Sequence, residues 1–582
     1  MRKLFLPLLC VVCIPLMAQQ KTYCNPLNVD YTYTPIAEHT AWGKHRSAAH
    51  PVIVNYKGDY YLFATNQSGY WWSPDLVNWN FVLHSFLPPE LLESVTQNWQ
   101  DLYAPAVWVQ GDSLCVFGSA QANVFPIWIS TNPKENEWRR AVERFEPGGW
   151  DPAFFADDDN RLYMYSSDEN NAQLIYGMEL HRKTFQPVGT RKELVKPDGQ
   201  KTGSHHAGEY KNNTAFNPII EGAGMAKHNG KYYLQWSTPG ITFPDYGNAV
   251  ATSTHPLGPF EQASLPLSMK PGGFIRGAGS GAAFRDHWEN YWHVSTMVIN
   301  VKNNFECRAG IWPAGFDEDG TMYCNTAFGD YPHYLPDGEA NHRESRFTGW
   351  MLLNYNKPVQ VSSTFGAHAA NNLVDEDIKT YWSAATGDRG EWFISDLGGM
   401  STVRAVQINY ADQDAGFVGK PLSSHQEYVV SYSSDGKKWR VLFSKSGNKK
   451  DIPHDYIELE KPVETRYIKV ENLAVSTGKF AVSGFRIFGS GHGNKPEAVS
   501  QFTAFRDAAA RHNGWLKWQP VDDAYAYNIY IGENPDKLYN CVMVYGANEY
   551  QYEGMDTAKP YYFSIEAINE NGTSDWVRAD AL

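Results

Sequence analysis

The 582-residue sequence is poor in cysteine, in basic runs and in helical periodicity, and each shortage narrows what the chain can be. Only seven cysteines occur, and Cys10 and Cys13 lie within the first twenty residues. The other five, Cys24, Cys115, Cys307, Cys324 and Cys541, have neither the spacing of a zinc site nor the density of a disulfide scaffold. Cys307 and Cys324 are the one candidate pair for an oxidising compartment. No cluster of Lys and Arg stands out, and the net charge is -14, which makes nucleic acid and anionic membranes poor partners. Beyond the N-terminus no apolar run is long enough to cross a bilayer. No phosphate loop or dinucleotide fingerprint is found, so no organic cofactor is expected.

What is present is aromatic and strand-like. Aromatic residues make up 14% of the chain, with 20 Trp and 35 Tyr, a composition that suits both β-rich cores and proteins that meet sugar rings. The N-terminal stretch "MRKLFLPLLCVVCIPLMAQQ" reads as a secretory signal peptide over residues 1–18, with cleavage expected after Ala18. Neither Cys10 nor Cys13 follows the small residue of a lipoprotein signal, so a soluble product, secreted or periplasmic, is expected.

A unit then recurs through residues 23–350: a turn with Gly, Asp or Asn, followed by an aromatic strand. Its instances are "KGDYYLFA", "GDSLCVFGSA", "NRLYMYSS", "GKYYLQWS" and "NYWHVSTM". Apolar and polar residues alternate within them, which predicts strands. Five such units predict a five-bladed β-propeller. Composition changes after Trp350. Residues 355–490 carry short strands between turn residues and predict a β-sandwich. After the linker "SGHGNKPEAVS", residues 497–582 predict a second, smaller sandwich. The fold class expected is all-β: a propeller followed by two sandwiches.

The motifs "AHPVI", "YAPAVW", "WDPAFFADDDNRLYMY" and "IEGAGMAKHNGKYYLQWS" resemble those of glycoside hydrolase family 43 and its five-bladed propeller relatives. The resemblance implies three carboxylates at the mouth of a central funnel: a general base on the first blade, an orienting aspartate on the third and a general acid on the fourth. Asp151 matches the orienting residue, which also raises the pKa of the acid, and Glu221 matches the acid. An acid that protonates a leaving oxygen near neutral pH needs a raised pKa, and a neighbouring carboxylate supplies one.

His50 occupies the place of the base. Three readings stay open. Neutral His50 accepts the proton of water, or Asp101 serves instead, or hydrolysis is lost and the funnel only binds sugar. A group of relatives acting on β-1,3-galactan also lacks the usual base aspartate. An imidazole is longer than an aspartate, so it narrows the room of about 6.5–9.5 Å that inversion needs between base and acid. Ser280 stands where relatives often have a His that helps hold water or an ion in the propeller axis, and His293 is its candidate substitute. Candidate sugar contacts are Trp71, Trp72, Trp99, Trp150, Trp236 and Arg276.

The second unit, through "ANNLVDEDIKTYWSA", "WFISDLGG" and "YSSDGKKW", resembles the discoidin, or coagulation factor 5/8 type C, family. That resemblance implies a structural calcium, with Asp375, Asp377 and Thr380 as candidate ligands, although Glu376 stands where the family usually has Gly. The last unit resembles fibronectin type III. The reading is an exported, exo-acting, inverting glycosidase that releases terminal arabinofuranose, xylose or galactose from a plant or algal polysaccharide. Its alternative is a glycan-binding protein on a propeller that has lost its base.

Overall fold

The structure is a computed structural model that describes residues 20–87, 101–119, 125–167, 174–196, 219–243, 245–341, 343, 345–476 and 478–582. The signal peptide expected over residues 1–18 and Trp99 lie outside the described residues. Among the described residues no helix is long and apolar enough to cross a membrane.

Five four-stranded antiparallel sheets are each built from strands consecutive in sequence. Their innermost strands are Val52–Tyr56, Ala106–Gln110, Trp150–Ala156, Glu221–His228 and Arg276–Arg285. Each inner strand packs against the next, and the fifth packs against the first, which closes the ring of a propeller. The hairpins that join first to second strands follow from local chemistry. In Lys57-Gly58 and Asn229-Gly230 both residues take positive φ, the backbone that matches the twist of a two-residue hairpin. The ring is tied by its N-terminus. Thr22–Tyr23 pairs with His333–Tyr334, and the Asn25 amide donates to the carbonyls of Ile311 and Gly329.

The blades are held by apolar side chains on both faces of each sheet. Trp108 of blade two stacks on Phe154 of blade three at 4.2 Å, and Leu114, Val116, Leu162 and Met164 fill the layer around them. Cys24, Cys115, Cys307, Cys324 and Cys541 are all buried free thiols, so the Cys307–Cys324 pair does not form.

The second unit is a β-sandwich built on two long strands, Trp392–Tyr410 and His454–Val475, around Trp382, Phe393, Phe480 and Phe485. The third sets a three-stranded sheet against a five-stranded one, with Leu516, Trp518, Ile529 and Ile565 between them. Neither sandwich hangs free. Arg46 of the propeller is fully buried and donates to Asp412 and Asp451 of the second unit. Lys537 of the third unit pairs with Asp317 and Asp319 of blade five.

Candidate active site

Five equivalent residues ring one end of the propeller axis. His50, Ala104, Asp151, Gly222 and Ser280 stand at or next to the start of an inner strand, or within its first turns, and all have positive φ, between 36° and 65°. A residue other than glycine gives up about 1–2 kcal/mol in this conformation, so the geometry needs support. It comes from a hydroxyl on a neighbouring blade. The amide of His50 donates to Thr296, that of Ala104 to Thr65, that of Asp151 to Ser119 and that of Ser280 to Ser237. These hydroxyls lie within two residues of the ends of second strands, in "LFAT", "CVFGS", "LQWS" and "HVST". At the fourth position only glycine fits, since a Cβ on Gly222 would lie 2.8 Å from Ser280 Oγ and 3.1 Å from Ser237 Oγ.

This ring forms one end of an axial channel of about 110 Å³, lined by residues 50–54, 104–107, 151–154, 222–225 and 280–283. Glu221, one residue before Gly222, joins His50 and Asp151 there. Ligand atoms of the three side chains all lie within 4.8 Å of one another, and His50 Nδ1 is 3.9 Å from Asp151 Oδ1. All three are buried. Burial pushes the Glu221 carboxyl up to about 7, and the negative charge of Asp151 adds to the shift. Burial likewise lifts Asp151 to about 7. Burial lowers the pKa of His50, so the imidazole is neutral at pH 7. The Tyr246 hydroxyl donates to Glu221 Oε1 at 3.0 Å. Neither nitrogen of His50 and neither carboxylate oxygen of Asp151 closes a well-formed hydrogen bond.

The structure thus brings together His50, Asp151 and Glu221, keeps Trp150 beside them and sends the other described candidates elsewhere. Asp101 is not in the cluster. Its Oδ1 accepts the amide of Phe86 at 3.0 Å, and burial raises its pKa to about 7 against the pull of that and neighbouring amides, so the carboxylate braces a loop. Trp71 is packed in the apolar core and donates its indole N–H to Asp30, while Trp72 lies under the Lys134 ammonium. Trp236 is buried between blades among Tyr163, Tyr165 and Leu234. Arg276 lines a separate cavity of about 610 Å³ shared with the sandwiches. Among the described candidates, Trp150, next to Asp151, is the one platform near the site, with its ring 6.3 Å from Tyr103. His293 bonds Ser295 and Gln235 within its blades, so it is a packed histidine and does not replace Ser280 at the axis.

Tyr103 and Tyr246 were not singled out from sequence. Tyr103 sets its ring edge-to-face with His50 at 6.3 Å, and its position just before Ala104 in "YAPAVW" was the available signal. Tyr246 carried no local signal.

In the second unit, Asp375 Oδ2 accepts the Thr380 hydroxyl at 2.6 Å, and Asp375 Oδ1 accepts the amide of Asp377 at 3.1 Å. Asp375, Asp377 and Thr380 therefore share one turn and offer oxygen donors only, the type a hard cation takes. Glu376, at φ 58°, turns its carboxylate away to Arg486.

Residues 45–322 match the family model of "Glycosyl hydrolases family 43", and residues 358–485 match that of the "F5/8 type C domain". No curated protein matches the chain in sequence. Among solved structures, a family-43 protein from Bacillus licheniformis is 15% identical, with 81% of this chain and 100% of that one covered at a TM-score of 0.42. An endo-1,4-beta-xylanase from Bacteroides thetaiotaomicron is 21% identical, covering 50% of this chain and 95% of that one at a TM-score of 0.39. An endo-arabinase from the same organism is 20% identical, covering 50% and 99% at a TM-score of 0.38. The five-bladed ring that gathers Asp151 and Glu221 at its axis holds the residues that match glycosyl hydrolases family 43, and the sandwich after it holds those that match the F5/8 type C domain.

Proposed function

We propose that the protein is an exported glycosidase that releases terminal arabinofuranose, xylose or galactose units from a plant or algal polysaccharide, with Glu221 as the general acid. The observation that carries this reading is the pairing of two buried carboxyls at the axis, both lifted to about 7. A Glu221 that keeps its proton near neutral pH can pass it to a leaving sugar oxygen. Asp151 supports that state by its charge. Neutral His50, with neither nitrogen in a well-formed hydrogen bond, is proposed to take the proton of water. For inversion the imidazole has to withdraw, because its separation from Glu221 is under the room of about 6.5–9.5 Å that a water and an anomeric carbon occupy.

The test is incubation of the purified protein with a panel of nitrophenyl glycosides and with natural arabinogalactans, the first-formed anomer being read by NMR. Release of single sugars with inverted configuration is expected. The narrow gap between His50 and Glu221 favours a second reading, glycan binding without cleavage. No release from any substrate, together with calorimetric binding of oligosaccharides, would establish that reading in place of the first.

The second unit is proposed to hold a structural calcium at Asp375, Asp377 and Thr380, and the third, fibronectin type III-like, to serve as a spacer. A chelator is expected to lower the melting temperature of the full chain, and added calcium to restore it. An Asp375→Asn protein that still responds fully to calcium would rule the site out.

A further inference from the structure

Three metal-ligating side chains of different blades face one another, and of the three only Glu221 has a well-formed hydrogen bond, from the Tyr246 hydroxyl. His50 brings an imidazole from blade one, Asp151 a carboxylate from blade three and Glu221 a carboxylate from blade four. His50 is 7% exposed and Asp151 2%, yet both ring nitrogens and both carboxylate oxygens lack a hydrogen bond. Buried polar atoms are nearly always paired, so orphaned atoms on two side chains that meet in one cluster call for a ligand there. A carboxylate at position 50 would have set three negative groups together. The imidazole changes the donor set to one nitrogen and two oxygens.

We propose that His50, Asp151 and Glu221 form a binding site for a divalent transition-metal ion of the zinc type, open on its remaining positions toward the mouth of the propeller. A borderline-soft ion takes imidazole nitrogen and carboxylate oxygen, whereas calcium and magnesium prefer oxygen alone. Bonds of about 2.0–2.1 Å at tetrahedral angles set the donors about 3.3 Å apart. His50 Nδ1 stands 3.9 Å from Asp151 Oδ1, and one donor atom from each side chain lies within 4.8 Å of the others, so side-chain rotation of about an ångström closes the site. The backbone has little to rearrange, since His50 and Asp151 are already held in their left-handed conformation by Thr296 and Ser119. Two carboxylates balance the charge of the ion.

The ion would take the carboxylate of Glu221 as a ligand and deprive the acid of its proton. Under the hydrolytic reading, on which this consequence alone rests, zinc is therefore a reversible inhibitor. Binding itself does not depend on turnover.

The test is calorimetric titration of Zn²⁺ into the chelator-stripped full chain, with calcium kept in the buffer so that the second unit stays loaded. Co²⁺ serves as a spectroscopic probe. One high-affinity ion per chain is expected. Affinity should fall at least tenfold in both His50→Ala and Asp151→Asn, and the visible bands of low-symmetry Co²⁺ should vanish in His50→Ala. Melting curves check that the variants are folded, and His50→Gln replaces His50→Ala if the latter is not. Equal affinity in wild type and variants would place the ion on surface histidines and overturn the proposal. So would the absence of Zn²⁺ binding at millimolar concentration. Zinc-inhibited hydrolysis restored by chelator is expected if the protein cleaves sugars. If it cleaves none, the calorimetry still decides the metal site.

Discussion

Glu221→Gln is expected to abolish release of natural sugars while leaving the fold in place. A positioned general acid contributes about 10²–10⁴-fold to rate. Glutamine keeps the shape and the contact with the Tyr246 hydroxyl but cannot give a proton to the leaving oxygen. The loss should be largest on arabinogalactan and smaller on nitrophenyl glycosides, because a nitrophenolate leaves with little need of protonation. The pH profile carries the second half of the test. Glu221 works protonated, and its pKa is about 7, so kcat/KM of wild type should fall as pH rises through 7. Asp151 titrates in the same range, so the limb belongs to the pair and not to one residue. After burial, the charge of Asp151 is the next cause that holds Glu221 up. Asp151→Asn removes that charge. The pKa of Glu221 then falls, the acid loses its proton earlier, and the alkaline limb moves to lower pH. A limb that stays in place or moves upward in Asp151→Asn would separate the two carboxyls and end their assignment as an acid and its modulator.

The propeller was legible because its hairpin turns are local. Gly-Asp and Asn-Gly turns before aromatic strands need no knowledge of the tertiary fold. Asp151 and Glu221 were legible for a related reason: both stand at the start of inner strands, in motifs that resemble those of a known family. The aromatic platforms were not. Tyr70, Trp71 and Trp72 are adjacent, and neighbouring residues of a strand point to opposite faces, so sequence alone leaves one face of them free for a ligand. In a propeller both faces of a middle strand are covered by neighbouring blades, so alternation buries them all or nearly all. Asp101 lies apart from the cluster because its carboxylate is taken as an acceptor by a backbone segment. The hydroxyl brackets Thr65, Ser119, Ser237 and Thr296 were visible at comparable places in four units, but their role belongs to a contact between blades. Arg276 and Glu376 depend on contacts between domains, which no local pattern encodes.

The contact at Glu376 leads to the second large effect: Arg486→Ala should uncouple the second unit from the propeller. The Arg486 guanidinium is buried where all three units meet. It pairs with Glu376 at 2.9 Å and 3.0 Å, donates to Gln407 Oε1 at 3.1 Å and to the carbonyl of Asp330 in the propeller. The rings of Phe274 and Phe488 cover it, at 4.7 Å and 4.8 Å. Tyr545 of the third unit donates to the same Glu376, and bonds Tyr331 of the propeller. Alanine at position 486 leaves the Glu376 charge buried and unpaired, a loss of about 3–5 kcal/mol. Scanning calorimetry should then show the second unit melting apart from the propeller and below it. Glu376→Gln should cost less, since an amide oxygen still accepts from the guanidinium. Glu376→Gly is the informative variant. Glycine suits φ 58° better than any side chain, yet it strips Arg486 of its counter-charge. If the pair holds the units together, Glu376→Gly destabilises in spite of the easier backbone. If it stabilises, the conformation at 376 outweighs the ion pair, and Glu376 does not stand in the place of a glycine for the sake of Arg486.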